Sequence, residues 1–137
     1  NLNKRDQIIK KIKNILIDSP DWLKIIGEEF VNKKINKKNN RNHSWMMIPL
    51  LIKNKKLNFL KITDIFEKHG IETRPIISGN ILKHPVFKKI KYKKAKKLDN
   101  INYLHSKGFM IGCHQNINTD SLNQLKKTIL ELKKIKI

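Results

Sequence analysis

Arg74 stands directly before Pro75 in the stretch "HGIETRPIISGN", and Ser78, Gly79 and Asn80 close that stretch. A residue ahead of proline is driven toward extended backbone angles, so the guanidinium is expected to project from a strand end. The Ser-Gly-Asn turn beside it offers short polar side chains and backbone N–H groups. Together they make a candidate clamp for a phosphate or a carboxylate, whose geometry the planar guanidinium matches. The competing reading is structural: Arg74 pairs with Glu72 or caps a neighbouring helix.

Other chemistry is sparse. The histidines, His43, His69, His84, His105 and His114, are not at metal-ligand spacing. Cys113 is the only cysteine, so no internal disulfide can form and a reducing compartment is expected. It adjoins His114, and sequence neighbours on a strand face opposite ways, which argues against a nucleophile–base pair. Asp64 and Glu67 lie one helical turn apart among lysines, so structural ion pairing is their expected role. No phosphate-cradling Gly-rich loop, HExxH or zinc-type Cys pair occurs. No two carboxylates share an apolar setting that would raise a pKa for acid catalysis. Alone, the chain is expected to do no covalent chemistry and to bind no metal.

The 137 residues carry 31 Lys and Arg against 11 Asp and Glu, a formal charge of +20. Charge of that size points to nucleic acid or an anionic membrane surface. Lys, Asn and Ile make up about half of the chain, far above average usage; a low-GC coding bias would give that composition to any protein. Only Arg5, Arg41 and Arg74 are arginines, whereas base reading and bidentate phosphate recognition favour Arg over Lys. A stand-alone Lys-rich nucleic-acid-binding domain stays open as an alternative. No apolar run approaches the ~18 residues of a membrane span, and no signal peptide is visible. A soluble, cytoplasmic protein is expected.

Several elements must position these residues. Ile8, Ile9, Ile12, Ile15 and Leu16 form one helical stripe over Arg5–Leu16, broken by Pro20. Asn32–His43 has little to bury and reads as an exposed loop. "SWMMIPLLI", Ser44–Ile52, is a buried strand in which Pro49 lacks a ladder donor, so an edge position or a bulge is expected. Leu57–His69 is an amphipathic helix with Phe59, Ile62, Ile65 and Phe66 inward and Gly70 as a left-handed cap. Ile71–Ile77 reads as a second strand, and the basic stretch from His84 to Lys97 as a surface crossing. Leu98–Lys107 is a short helix, Phe109–Gly112 a third strand. The last helix opens at Asn118 or Thr119 and turns Leu122, Leu125, Ile129 and Leu132 to one side. Three short strands with packed helices make an α+β domain.

"SWMMIPLLI", "HGIETRPIISGNILKHPVF" and "NINYLHSKGFMIGCHQNI" resemble, in order and spacing, the C-terminal region of the DegT/DnrJ/StrS family. These are pyridoxal-phosphate enzymes that modify nucleotide-linked sugars. The similarity runs from Ser44 to Leu132, and the opening helix is similar to the one joining the family's large domain to its small one. The "TRPIISGN…HP" string is most similar to the 4-keto-6-deoxyhexose 3-dehydratase branch. The resemblance implies the small C-terminal domain of an aspartate-aminotransferase-like fold. Residues 1–137 would be one domain, with a connecting helix at 1–17, an exposed loop at 32–43 and the small domain proper at 44–137. A start at Asn1 rather than Met suits a fragment of a longer chain.

The resemblance further implies a homodimer and a part in lipopolysaccharide or deoxysugar biosynthesis. Pyridoxal 5'-phosphate would be bound mainly by a large domain outside this chain, and the reaction would be loss of the sugar C3 hydroxyl or amino transfer. The cofactor-binding residues belong to that large domain, so no catalytic residue is carried over. Substrate contact is carried over to Arg74 and Asn80 in the motif, to Trp45 at an aromatic position, and to His114 in a polar turn. For Trp45, plain core packing is the competing reading. A split or decayed gene product with only a structural or interaction role is the third possibility.

Overall fold

The computed structural model describes residues 2–28, 45–93 and 97–136. The expected exposed loop, Asn32–His43, lies outside the described residues. Helix α1 spans Leu2–Leu16, α2 Phe59–Lys68, α3 Asp99–Lys107 and α4 Thr119–Leu132. The strands are β1 Leu23–Ile25, β2 Met47–Ile52, β3 Thr73–Pro75 and β4 Gly108–Gly112. They form one antiparallel sheet in the order β1-β2-β4-β3. The α+β class expected from the sequence is the class observed.

Two expectations are corrected. Among the described residues the sheet has four strands rather than three, because Leu23–Ile25 adds to β2 as a short edge; three residues are too few to show a period-two pattern. The second concerns Pro49, whose strand is interior, flanked by β1 and β4. The Pro49 carbonyl accepts from the Ile26 N–H at 2.9 Å. In an antiparallel ladder a residue's N and C=O point to the same side. The missing donor therefore faces Ile26, just past the last residue of β1, and only the reciprocal bond of that one terminal pair is forgone. The middle of the sheet tolerates proline because its neighbour is short.

Period-two alternation divides the sheet's faces. Ile48, Leu50 and Ile52 of β2 are buried, and they pair across with Ile111, Phe109 and Leu23. This face joins the buried stripe of α1, Ile62 and Phe66 of α2, and Leu125, Ile129 and Leu132 of α4 in one core. Phe109 takes Phe59 and Phe66 edge-on, with centroids 6.1 and 5.2 Å away, a geometry that adds about 0.5–1.5 kcal/mol per pair to area burial. The opposite face carries Met47, Pro49, Leu51 and Met110, with Arg74 registered against Met110.

Local signals explain the boundaries. The Asn58 side chain accepts from the Lys61 N–H and caps α2. At the other end Gly70 takes φ 74°, a left-handed conformation that a Cβ would disfavour. Asn118 caps α4 by accepting from the Ser121 N–H. The second strand is shorter than expected: Ile71 and Glu72 precede it, and a turn closed by Gly79 N–H to Ile76 C=O at 3.0 Å ends it. Beyond that turn the chain crosses the surface through two short 3₁₀ segments, Ile81–Lys83 and Pro85–Lys88. Glu67 accepts from the Thr73 hydroxyl at 2.7 Å, tying the C-terminal turn of α2 to β3 rather than pairing with a lysine.

Candidate functional site

Arg74 lies mid-way along the edge strand β3, on the sheet face away from the core. Its Nη2 donates to Glu72 Oε1 at 2.6 Å. Both side chains are well exposed, at 61% and 73%, so the pair contributes at most about 1 kcal/mol. One nitrogen of a five-donor group is engaged in this bond. The predicted pairing with Glu72 is therefore present, yet it is weak enough to be exchanged for a stronger anion.

The guanidinium stands on a ridge between two concavities. The first, about 230 Å³, lies where β3 and β4 meet the start of α4; Arg74, Glu72, His114, Ser121 and Gln124 supply its polar side chains. His114, exposed just beyond β4, accepts from the Asn116 N–H through Nδ1 at 3.2 Å, so in the neutral ring Nε2 carries the proton. The second concavity, about 620 Å³, is floored by Met46, Met47 and Met110 and bordered by Arg74, Ser78, His84 and His105. Arg74 and His114, singled out separately in the sequence, thus share one cleft.

Asn80 and Trp45 line neither. Asn80 is buried; its amide nitrogen donates to Asn102 Oδ1 at 2.7 Å, and its Oδ1 accepts from the Leu82 N–H at 3.0 Å. Trp45 is packed in the hydrophobic core with only 4% exposure, so its indole belongs to the core and presents no surface for a ligand. The expected turn donors are also engaged internally. The Gly79 N–H bonds Ile76, and the Asn80 N–H bonds His105 Nδ1 at 3.2 Å. The anion-attracting feature is the guanidinium, not the turn backbone. Sequence reasoning passed over His84 and His105, which no spacing linked to Arg74; only the fold of the surface crossing and of α3 brings them to the same cleft.

Cys113 is buried beneath α1, and burial pushes its thiol up to about 11, with Arg5 lowering and Asp6 raising it further. That is the behaviour of a packing thiol, not of a nucleophile. Among the described residues no group of three or more potential metal ligands occurs. No described helix is long and apolar enough to cross a membrane.

The family model for the DegT/DnrJ/EryC1/StrS aminotransferase family matches residues 2–130. The chain belongs to this family. A GDP-4-keto-6-deoxy-D-mannose 3-dehydratase from Escherichia coli is 32% identical over 88 residues, which is 63% of this chain and 23% of that protein. The solved E. coli dehydratase of that name, with bound hydrated pyridoxal phosphate, superposes with a TM-score of 0.73 at 25% identity. The match covers 93% of this chain and 30% of that one. Helicobacter pylori PseC, an aminotransferase of pseudoaminic acid biosynthesis, shares the fold at a TM-score of 0.71 and 17% identity, over 96% of this chain and 32% of its own. The chain spans between 15% and 23% of the lengths of the curated relatives it matches.

Pyridoxal phosphate is the cofactor of this family, but neither cleft offers what it requires. Among the described residues no lysine lines either one, and the one carboxylate that does, Glu72, is exposed and paired with Arg74. The described residues do not by themselves build a site for the group.

Proposed function

We propose that this chain is the C-terminal small domain of a pyridoxal-phosphate-dependent enzyme acting on nucleotide-linked 4-keto-6-deoxy sugars. Its own task is to hold the nucleotide diphosphate. The observation that carries the reading is Arg74: an exposed guanidinium with a weak, exchangeable partner, between two clefts. His114 shares the first cleft and supplies an N–H donor. Asn80 acts from beneath, by shaping the turn after β3.

In this reading the reacting carbon lies in a large domain contributed outside these residues, and the enzyme works as a cytoplasmic homodimer in lipopolysaccharide or deoxysugar biosynthesis. Loss of the sugar C3 hydroxyl is favoured over amino transfer because two of the curated relatives are sugar 3-dehydratases, one of them 32% identical over 88 residues. Contact at the diphosphate is remote from the reacting carbon. It serves catalysis by converting binding energy into alignment.

Titration of the isotope-labelled chain with GDP, followed by amide NMR, tests the reading. Shifts should cluster at Arg74 and along the two clefts it borders, at His114 and Ser121 in the first and at Ser78 and His105 in the second. Shifts spread over the lysine faces of α1 and α4, matched by similar shifts with random-sequence oligonucleotide, would replace it with the nucleic-acid alternative.

A further inference from the structure

Helix α3 contributes no fully buried residue. It is fastened to the sheet by the Tyr103 hydroxyl, which donates to the Ile52 carbonyl at 2.8 Å. The Lys107 ammonium donates to the Leu57 carbonyl at 2.5 Å, and two further polar contacts of α3 converge on one turn. Asn102 Oδ1 accepts from the Asn80 side chain at 2.7 Å, and His105 Nδ1 accepts from the Asn80 N–H at 3.2 Å. Gly79 lies so close under the imidazole that a Cβ there would stand 2.4 Å from Nδ1. On the near side, Ile76 packs against Gly108, where a Cβ would come within 2.9 Å of Ile76 Cγ1.

The turn so gripped is strained. Ser78 has φ 64° and Gly79 φ 44°, and a non-glycine residue in that region costs on the order of 1 kcal/mol. Such a conformation persists only where its surroundings over-determine it. Here the surroundings are two side chains of α3, and the strained Ser78 stands four positions beyond Arg74. Ser78 and His105 border the same cleft as Arg74.

We infer that Asn102 and His105 are positioning residues: they clamp the Ile76–Asn80 turn and so set the wall of the ligand cleft beside Arg74. The inference rests on the reading that this cleft region holds a nucleoside diphosphate. The clamp requires an unprotonated Nδ1 on His105, because only a lone pair there can accept the Asn80 N–H. An asparagine at position 105 would place its Oδ1 close to where Nδ1 stands and keep an acceptor. A leucine would fill the space and keep none.

The test compares wild type, His105→Leu and His105→Asn by two readouts: amide hydrogen exchange at Gly79 and Asn80 without ligand, and GDP affinity by calorimetry. In His105→Leu, protection of the Asn80 amide should fall about tenfold and GDP should bind about five- to tenfold more weakly, the scale of one lost hydrogen bond. In His105→Asn, both should return to within about twofold of wild type, a rescue that a general packing role would not produce. Unchanged Asn80 protection in His105→Leu would overturn the clamp. Restored protection in His105→Asn with GDP binding still as weak as in His105→Leu would overturn its role in the cleft. If wild type itself fails to bind GDP, the nucleotide reading falls, and the exchange comparison still decides the clamp.

Discussion

Arg74→Ala and Glu72→Gln form a pair of substitutions with opposite expected effects on nucleotide binding. A charge-assisted hydrogen bond from arginine to phosphate contributes about 1.5–3 kcal/mol. In the free chain Arg74 is already bonded to Glu72 at 2.6 Å, and exchange of that surface pair costs about 0–1 kcal/mol. The net contribution of Arg74 to GDP binding is therefore about 1–2 kcal/mol, so Arg74→Ala should raise the Kd about five- to thirtyfold. Glu72→Gln removes the competitor and a like-charge neighbour of the ligand, so it should lower the Kd by up to about fivefold. Both side chains are exposed, so neither change should move folding stability by more than about 0.5 kcal/mol.

Isothermal titration with GDP at low and at high ionic strength reads both effects. The gain from Glu72→Gln should shrink in salt, because exposed charges are screened over about a Debye length. An unchanged Kd in Arg74→Ala would remove the guanidinium from the site. Weaker binding in Glu72→Gln would show instead that the ion pair is a structural fixture needed to hold Arg74 in place.

The remaining expectations concern the fold and the cofactor. Phe109→Ala opens a space beneath two edge-on rings in the core and should cost about 3–5 kcal/mol by denaturant unfolding. Glu131 accepts from Lys68 at 2.9 Å and contacts His69 Nε2 at 2.8 Å; the Lys68 bond, then the His69 bond, holds its carboxyl below the ordinary glutamate value. A depressed carboxyl contributes stability that is present above the unfolded value and lost as pH falls through the folded one. Thermal melts of wild type should show that acid loss, and Glu131→Gln should flatten it. Cys113 should react with a disulfide reagent only as fast as the chain opens, so its rate should follow unfolding rather than thiolate fraction. Pyridoxal phosphate mixed with the 137-residue chain should give no saturable yellow complex at one site; a stoichiometric one would mean that these residues build more of the cofactor site than the clefts indicate.

Long, periodic elements were legible in the sequence because burial alone decides them. The stripe of Ile8, Ile9 and Ile12, the Leu125–Ile129–Leu132 row and the Asn118 cap each appear where the pattern puts them. Leu23–Ile25 was not legible. A three-residue edge strand has its identity set by the partner β2, which is remote in sequence. Pro49 misled for a related reason: a proline rule depends on which neighbour its nitrogen faces and how far that neighbour runs. Neither fact is local.

The candidate site divides in the same way. That Arg74 would stand extended followed from Pro75, since the restriction is steric and acts within one peptide unit. Which sheet face it would take followed from nothing local; the pairing of Arg74 with Met110, and of Met110 with Pro49, fixes that face. The Ser78-Gly79-Asn80 turn looked like an anion cradle because its amides were counted as available, and α3 takes one of them across 25 residues of sequence. The buried Asn80 shows why such a count fails. Its carbonyl, amide and backbone N–H each have a partner, as burial demands. A polar residue in a motif can thus support a site without touching the ligand. In the proposed function the ligand-facing role falls to the group whose partner is exposed and weak, the guanidinium of Arg74.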